Sequence, residues 1–369
     1  MSSLRWAARL ISSWLYPDRP SYLIYFVTTR CNARCRMCFY WREMESSPLE
    51  DELKPEETEK IARHLPRLVQ LTLSGGEPFL REDLFELVRP LIEKARPLIL
   101  SIPSNGILTE SIIRAARQIC SSYPGLRLNL ELSLDGIGDL HDQIRGKKGA
   151  YENLLASWKA LKEVQKKFKN LRLGILTVLS AFNQERIFEL LKFVKSDLQP
   201  DRMEVMLARG ETREASAKNV SIEKFREVSE WLEKEAGKPE GFLDRLREEL
   251  AKEKRKLIIE TVSKNRMILP CLAGIKLIVI EPDGWVRPCE MLSLIYPTPQ
   301  PALGLKDLRL GNLREENYNL LELLQNGPAK KVKNFIQAGQ CHCSYECASL
   351  ANLVFRPGQA ARIFWKAGF

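Results

Sequence analysis

An eight-residue loop, CNARCRMC, constrains this chain more than any other feature: Cys31, Cys35 and Cys38 follow directly on an apolar run at 22–28. Thiolates are the usual ligands of iron–sulfur clusters, and four are needed to close a cubane. Three thiolates spaced this tightly wrap three irons and leave the fourth with an open position, which is where a metal site does chemistry. Structural zinc asks for four ligands in two pairs, and no further Cys or His lies near the loop.

The other cysteines fall at 120, 271, 289, 341, 343 and 347. The opening MSSLRWAARLISSWLYPDRP has an apolar stretch broken by Arg9 and no small-residue cleavage site. No apolar run reaches the roughly 18 residues of a membrane span. A cytoplasmic location is therefore expected, where disulfides are rare and clustered cysteines point to metal. Cys120 sits alone in an amphipathic stretch and reads as a small buried hydrophobe. Hydrophobic residues at 44% and charged residues at 28% describe a globular chain, not a disordered one. The net charge of +10 favours acidic surfaces without naming one.

Six β-rich runs alternate with helical stretches between residues 21 and 210: 22–28, 69–74, 98–103, 126–134, 171–179 and 203–208. Several are apolar almost throughout, as strands covered on both faces are. Helical crossovers between them (55–65, 83–94, 110–120, 151–167 and 184–195) imply a parallel sheet, either doubly wound or a curved partial barrel. Function is expected in the loops that follow the strand C-termini. The charged stretch 214–262 reads as a helical connector with a solvated face. Beyond it, IKLIVIEPDGWVRPCEML reads as two strands turning at Asp283-Gly284.

With these motifs in place the chain resembles the radical S-adenosylmethionine (SAM) superfamily. The fold implied is α/β, a partial (β/α)6 TIM-like barrel over 21–213. SGGEP at 74–78 matches the family's glycine-rich motif, implying that Gly75, Gly76 and Glu77 meet the methionyl amino group. PSNG implies ribose contacts from Ser104 and Asn105. SLDG followed by HDQIRG implies Ser133, Asp135 and Arg145 around the SAM carboxylate, which an arginine suits as a planar two-pronged partner. Met37 stands where an aromatic is common, and Tyr40 is expected to supply the adenine packing. His64 and His141 are expected to be structural.

Cys271, Cys289, Cys341, Cys343 and Cys347 resemble the SPASM or shorter twitch extension, here expected over 263–350. Five thiols imply one auxiliary [4Fe–4S] cluster, hence two clusters per chain. The preferred ligands are Cys271, Cys289, Cys343 and Cys347, with Cys341 spare or substituting; zinc with His342 is the alternative. The resemblance also implies a low-potential electron donor, flavodoxin or ferredoxin.

About twenty residues precede the first strand, so neither a cobalamin domain nor a winged-helix peptide-recognition domain is expected. The termini, 1–20 and 351–369, are basic and amphipathic or aromatic, a pattern of membrane-interface segments or of segments packed on the barrel. A peripheral position on the inner face of the membrane and a lipid or isoprenoid substrate are therefore expected, with a SPASM-type peptide maturase as the alternative. No nucleic acid partner is expected; a zinc-containing nucleic-acid-binding protein is the non-enzyme reading.

Overall fold

The protein is described from a computed structural model that covers residues 3–46, 51–237, 239, 241–296 and 308–368. Six parallel strands follow one another in space as in sequence: β1 (Tyr22–Thr28), β2 (Gln70–Gly75), β3 (Ile99–Ser104), β4 (Arg127–Ser133), β5 (Leu171–Leu179) and β6 (Arg202–Leu207). Before and between them lie α1 (Ser3–Leu15), α2 (Trp41–Ser46), α3 (Pro55–Arg63), α4 (Leu84–Ala95), α5 (Thr109–Ser122), α6 (Asp139–Arg145), α7 (Ala150–Lys167) and α8 (Ile187–Phe193). The connector forms α9 (Ile222–Glu235) and α10 (Phe242–Ser263). Three short strands follow, β7 (Leu277–Ile280), β8 (Trp285–Arg287) and β9 (Gly311–Asn312), with α11 (Leu292–Ile295) between the last two. The chain ends in α12 (Leu320–Leu323), α13 (Gly327–Gln337), α14 (Glu346–Val354) and α15 (Pro357–Lys366).

The hairpin at Asp283-Gly284 forms, but it builds no separate sheet. β7 pairs in parallel with β1, and β8 and β9 continue antiparallel beyond it, so nine strands share one sheet. The cause is β1, whose seven residues are all buried and whose two edges therefore both need backbone partners.

Alternation along β2 and β4 divides an apolar outside from a polar inside. In β4, Leu128, Leu130 and Leu132 are buried in the apolar core, while Asn129, Glu131 and Ser133 face the other way. The inner face carries a hydrogen-bonded network: Tyr22 to Thr72 at 3.2 Å and Asn129 to Ser101 at 3.3 Å. Further along, Arg202 meets Glu204 at 2.7 Å and Glu131 at 3.5 Å. Although β1 and β6 lie at opposite ends of the parallel run, Arg209 just past β6 stands 5.6 Å over the ring of Phe39 in the loop after β1, so the sheet curls into a partial barrel around a polar lumen.

Residues 214–262 are not wholly a solvated face. Lys254 of α10 is buried and reaches Glu204 at 2.6 Å across the open side of the barrel. Burial pushes Glu204 up, but Lys254 and Arg202 more than offset this and hold it at about 2.

The amphipathic helix α1 is present, with a different buried face from the one its leucines suggest. Trp6, Arg9, Leu10 and Ser13 turn inward, and Leu4, Ile11 and Leu15 stay exposed. Arg9 wins because it donates to the carbonyls of Leu68 and Arg96, in the turns that lead into β2 and β3. At the other end, the Lys276 ammonium takes the carbonyls of Ser13, Tyr16 and Arg19 at 2.6, 2.7 and 3.1 Å, which caps the helix and fixes it to the barrel. Among the described residues no helix is long and apolar enough to cross a membrane.

Candidate active site and its cysteine loops

The Cys31–Cys38 loop leaves the C-terminal end of β1 and is held on two sides by backbone. Arg34 and Arg36 donate to the carbonyls of Arg145 and Ile144 at 3.0 and 2.9 Å, which zips the loop to the end of α6. Gly146 makes that approach possible: it sits at φ 60°, and a Cβ there would lie 2.4 Å from the Arg34 carbonyl oxygen. On the other side Glu77 N–H donates to the Arg30 carbonyl at 2.8 Å. A Cβ on Gly76 would lie 1.9 Å from the same oxygen.

Glu77 is buried and accepts from the Ser104 hydroxyl at 2.9 Å, from Asn105 N–H at 2.7 Å and from Phe79 N–H at 3.3 Å. Burial still pushes it up to about 7, against those donors and Arg145. Asn105 in turn donates to Asn32 at 2.7 Å and lies 4.0 Å from the Cys31 sulfur. The motifs at 75–77 and 104–105 are therefore brought together around one buried carboxylate beside the cysteine loop.

Arg145 lies 3.7 Å from the Cys35 sulfur and forms a buried ion pair with Asp135 at 2.6 Å. Burial works against its charge, but Asp135 and the Cys35 thiol more than offset that and raise it. Its Nε has no hydrogen-bond partner among the described residues. Asp135 is fully buried and spends its other oxygen on Val178 N–H at 2.8 Å. His141 accepts Asp135 N–H at 3.1 Å, and burial lowers it to about 3, in keeping with a structural role.

Tyr40 stands two positions past Cys38. Its ring packs edge-on against Phe26 at 4.7 Å, and its hydroxyl donates to Glu281 at 2.9 Å, so it ties the cysteine loop to the β7–β8 hairpin. It borders a polar recess of about 230 Å³ lined also by Thr29, Glu43, Glu281, Trp285 and Arg287. Burial lifts Glu281 to about 7 despite the nearby Arg287.

The C-terminal cysteines divide in an unexpected way. Burial is the main cause of their raised pKa values. Beyond it, Cys289 feels Cys343, Cys271 and Cys341, while Cys341 feels Cys271 and Cys343. Cys347 instead has Glu290, Tyr22, Arg209 and Tyr345 around it, and it accepts the Tyr22 hydroxyl at 3.3 Å. Cys341, expected as the spare or the substitute, is thus an electrostatic neighbour of Cys271, Cys289 and Cys343. Among the described residues no three Cys, His, Asp or Glu side chains already share a metal-ligating geometry. Iron at either place therefore rests on thiol spacing, on kinship and, at the first loop, on the open Nε of Arg145.

Arg209, just past β6, pairs with Glu346 and lies 3.6 Å from Glu290. It also stands over the rings of Tyr345 and Phe39. One guanidinium thus meets the sequence neighbours of Cys38, Cys289 and Cys347. Tyr318 lies elsewhere, hydrogen-bonded to Glu57 of α3 at 3.0 Å.

Residues 25–194 match the model of the radical SAM superfamily. The pre-heme d1 synthase of Dinoroseobacter shibae is 33% identical over 172 residues, which span 46% of this chain and 39% of that protein. The AdoMet-dependent heme synthase of Methanosarcina barkeri is 26% identical over 317 residues, covering 82% of this chain and 81% of that one. In fold, SuiB of Streptococcus suis bound to S-adenosylmethionine superposes with a TM-score of 0.60 at 18% identity, over 90% of this chain and 72% of that chain. Residues 25–194 thus carry a radical SAM superfamily domain, and the likeness in fold to SuiB extends beyond it over 90% of the chain. A [4Fe–4S] cluster and SAM go with that domain.

Proposed function

We propose that this chain reductively cleaves SAM and uses the product to take hydrogen from an unactivated carbon of a polar substrate. When bound on Cys31, Cys35 and Cys38, a [4Fe–4S] cluster and SAM together supply a 5′-deoxyadenosyl radical, strong enough to break such a C–H bond. The chain's own residues bind and orient. Arg145, aimed by Asp135 and with Nε open, suits the SAM carboxylate, with Ser133 at the end of β4 beside it. Glu77 is a buried carboxylate near neutrality, and an ammonium placed on it returns it to its charged form. The observation that carries this reading is the convergence of Glu77, Asn105 and Arg145 on one cysteine loop. Anaerobically reconstituted protein given dithionite and SAM should release 5′-deoxyadenosine, and Cys35→Ala should abolish it. Zinc in place of iron and sulfide in active preparations would end the reading.

The four grouped thiols, Cys271, Cys289, Cys341 and Cys343, suit one auxiliary cluster, fully ligated and so placed for electron transfer or scaffolding. A low-potential flavodoxin or ferredoxin is the donor the chemistry asks for.

The lumen argues against an aliphatic chain as the reacting group, because Tyr22, Thr72, Ser101, Asn129 and Glu131 line it. A peptide is the second reading. SuiB, which shares the fold, has been solved with a precursor peptide bound. Attachment to the inner face of the membrane is kept as part of the proposal because α1 turns leucines to solvent; it would serve a membrane-borne substrate whose polar part enters the barrel. Flotation with anionic liposomes tests it, and no binding at low salt would remove it.

A further inference from the structure

The N-terminal end of the barrel gathers segments that are far apart in sequence. Arg5 of α1 donates to the Gly125 carbonyl at 3.0 Å, just ahead of β4. Arg127, at the start of β4, stands over the Trp6 ring of α1 at 5.6 Å. Its nearest like charges are Arg247 of α10 and Arg172 of β5, and burial together with these arginines lowers it to about 10. Arg9 is likewise lowered to about 10, first by burial and then by Arg67, Arg5 and Arg96. The first turn of α10 meets the last turn of α15 through Phe242 and Phe364, whose rings are 6.1 Å apart, and through Arg245 to the Ala367 carbonyl at 2.9 Å.

Around these arginines stand exposed apolar side chains: Leu4 at 81%, Ile11 at 49% and Leu15 at 71% on α1, Leu243 at 56% on α10 and Trp365 at 76% on α15. Folding normally turns such residues inward. Here α1 has turned Arg9 and Ser13 inward instead and holds its leucines outward on a helix fixed at both ends. Acidic relief is sparse: Asp244 takes Arg247 at 2.9 Å, and Glu253 takes Arg362 at 3.0 Å and also pairs with Lys366.

We propose that this end of the barrel, built from the outer face of α1, the first turn of α10 and the last turn of α15, docks on an anionic phospholipid surface. Lipid phosphates meet the exposed Arg5, Arg67 and Arg96 that crowd the buried Arg9, and Leu4, Ile11, Leu15 and Trp365 enter the headgroup boundary, the arrangement that interfacial helices use. The proposal rests on the surface-attachment reading and names the face and the lipid charge that it requires.

Sedimentation of the full chain with vesicles tests it. Mixed phosphatidylcholine–phosphatidylglycerol vesicles should bind it and phosphatidylcholine alone should not, and added salt should weaken the binding. The variant Leu4→Asp/Ile11→Asp/Leu15→Asp changes only exposed positions, so it should keep its melting temperature and its 5′-deoxyadenosine yield while partitioning falls more than about tenfold. If the wild type ignores both kinds of vesicle, surface attachment itself fails. If the variant binds as the wild type does, attachment stands and this face is the wrong one. A wild-type dimer that the same variant converts to monomer would make the partner a second copy and overturn the membrane assignment.

Discussion

The Tyr22 hydroxyl, on the first residue of β1, donates to the thiol of Cys347, on the second residue of α14, at 3.3 Å. The same hydroxyl meets Thr72 on the lumen face at 3.2 Å, so Cys347 is engaged there by a partner that the other C-terminal thiols lack. In a Cys31→Ala/Cys35→Ala/Cys38→Ala background the chain should keep about four irons, one cubane. Adding Cys341→Ser should remove most of them, whereas adding Cys347→Ser should not. Iron analysis decides it; equal loss from both serine variants would return Cys347 to the ligand set.

Arg209 neutralises two buried carboxylates at once. Arg209→Met leaves Glu290 and Glu346 buried without their cation, a change that costs about 3–5 kcal/mol. Arg209→Met/Glu290→Gln/Glu346→Gln removes charge on both sides and should recover most of that loss. Urea midpoints of the two variants measure the difference.

Asp135 and Arg145 should behave as a unit. Asp135→Asn strands a buried guanidinium beside Cys35 and should destabilise by a similar ~3 kcal/mol or more. It should also weaken SAM binding, because Arg145 is no longer aimed. A double-mutant cycle with Arg145→Met should show coupling, and strictly additive losses would mean that the pair does not act together.

Glu57 of α3 joins the barrel to the β9–α12 loop. Arg314 reaches it at 2.7 Å and Tyr318 at 3.0 Å. Burial pushes Glu57 up from 4.5, but Arg314, Lys54 N–H and the Tyr318 hydroxyl more than offset that and hold it at about 2. A carboxylate whose folded value is depressed binds fewer protons folded than unfolded, so its contribution is full above 4.5 and fades as pH falls toward 2. Hydrogen exchange of residues 308–324 should therefore quicken over that window. In Glu57→Gln exchange should already be fast at neutral pH and change little on acidification, and a wild type that is flat over the window would refute the coupling.

Much of the barrel was legible in the sequence because its signals are local. β1 and β5 run over the residues their apolar patterns mark, and the cysteine loop and the glycine-rich motifs announce themselves by spacing. The strand alternation of β4 was equally available, yet which face became a polar lumen depended on the sheet curling until Arg209, past β6, met Phe39, past β1. The buried face of α1 was not legible: a moment of leucines says that a helix has two sides, but the free carbonyls of Leu68 and Arg96 decided which one went in. The same holds for β7, taken up by an open edge of β1, and for Tyr40 and Asp135, whose side chains serve Glu281 and Arg145. The sequence by itself determined which chemistry the chain can hold, because thiols, glycines and strand periods act within a few residues. Only the tertiary structure decided which thiol stands apart and which arginines crowd together, because burial and charge act between residues that the chain keeps hundreds of positions apart.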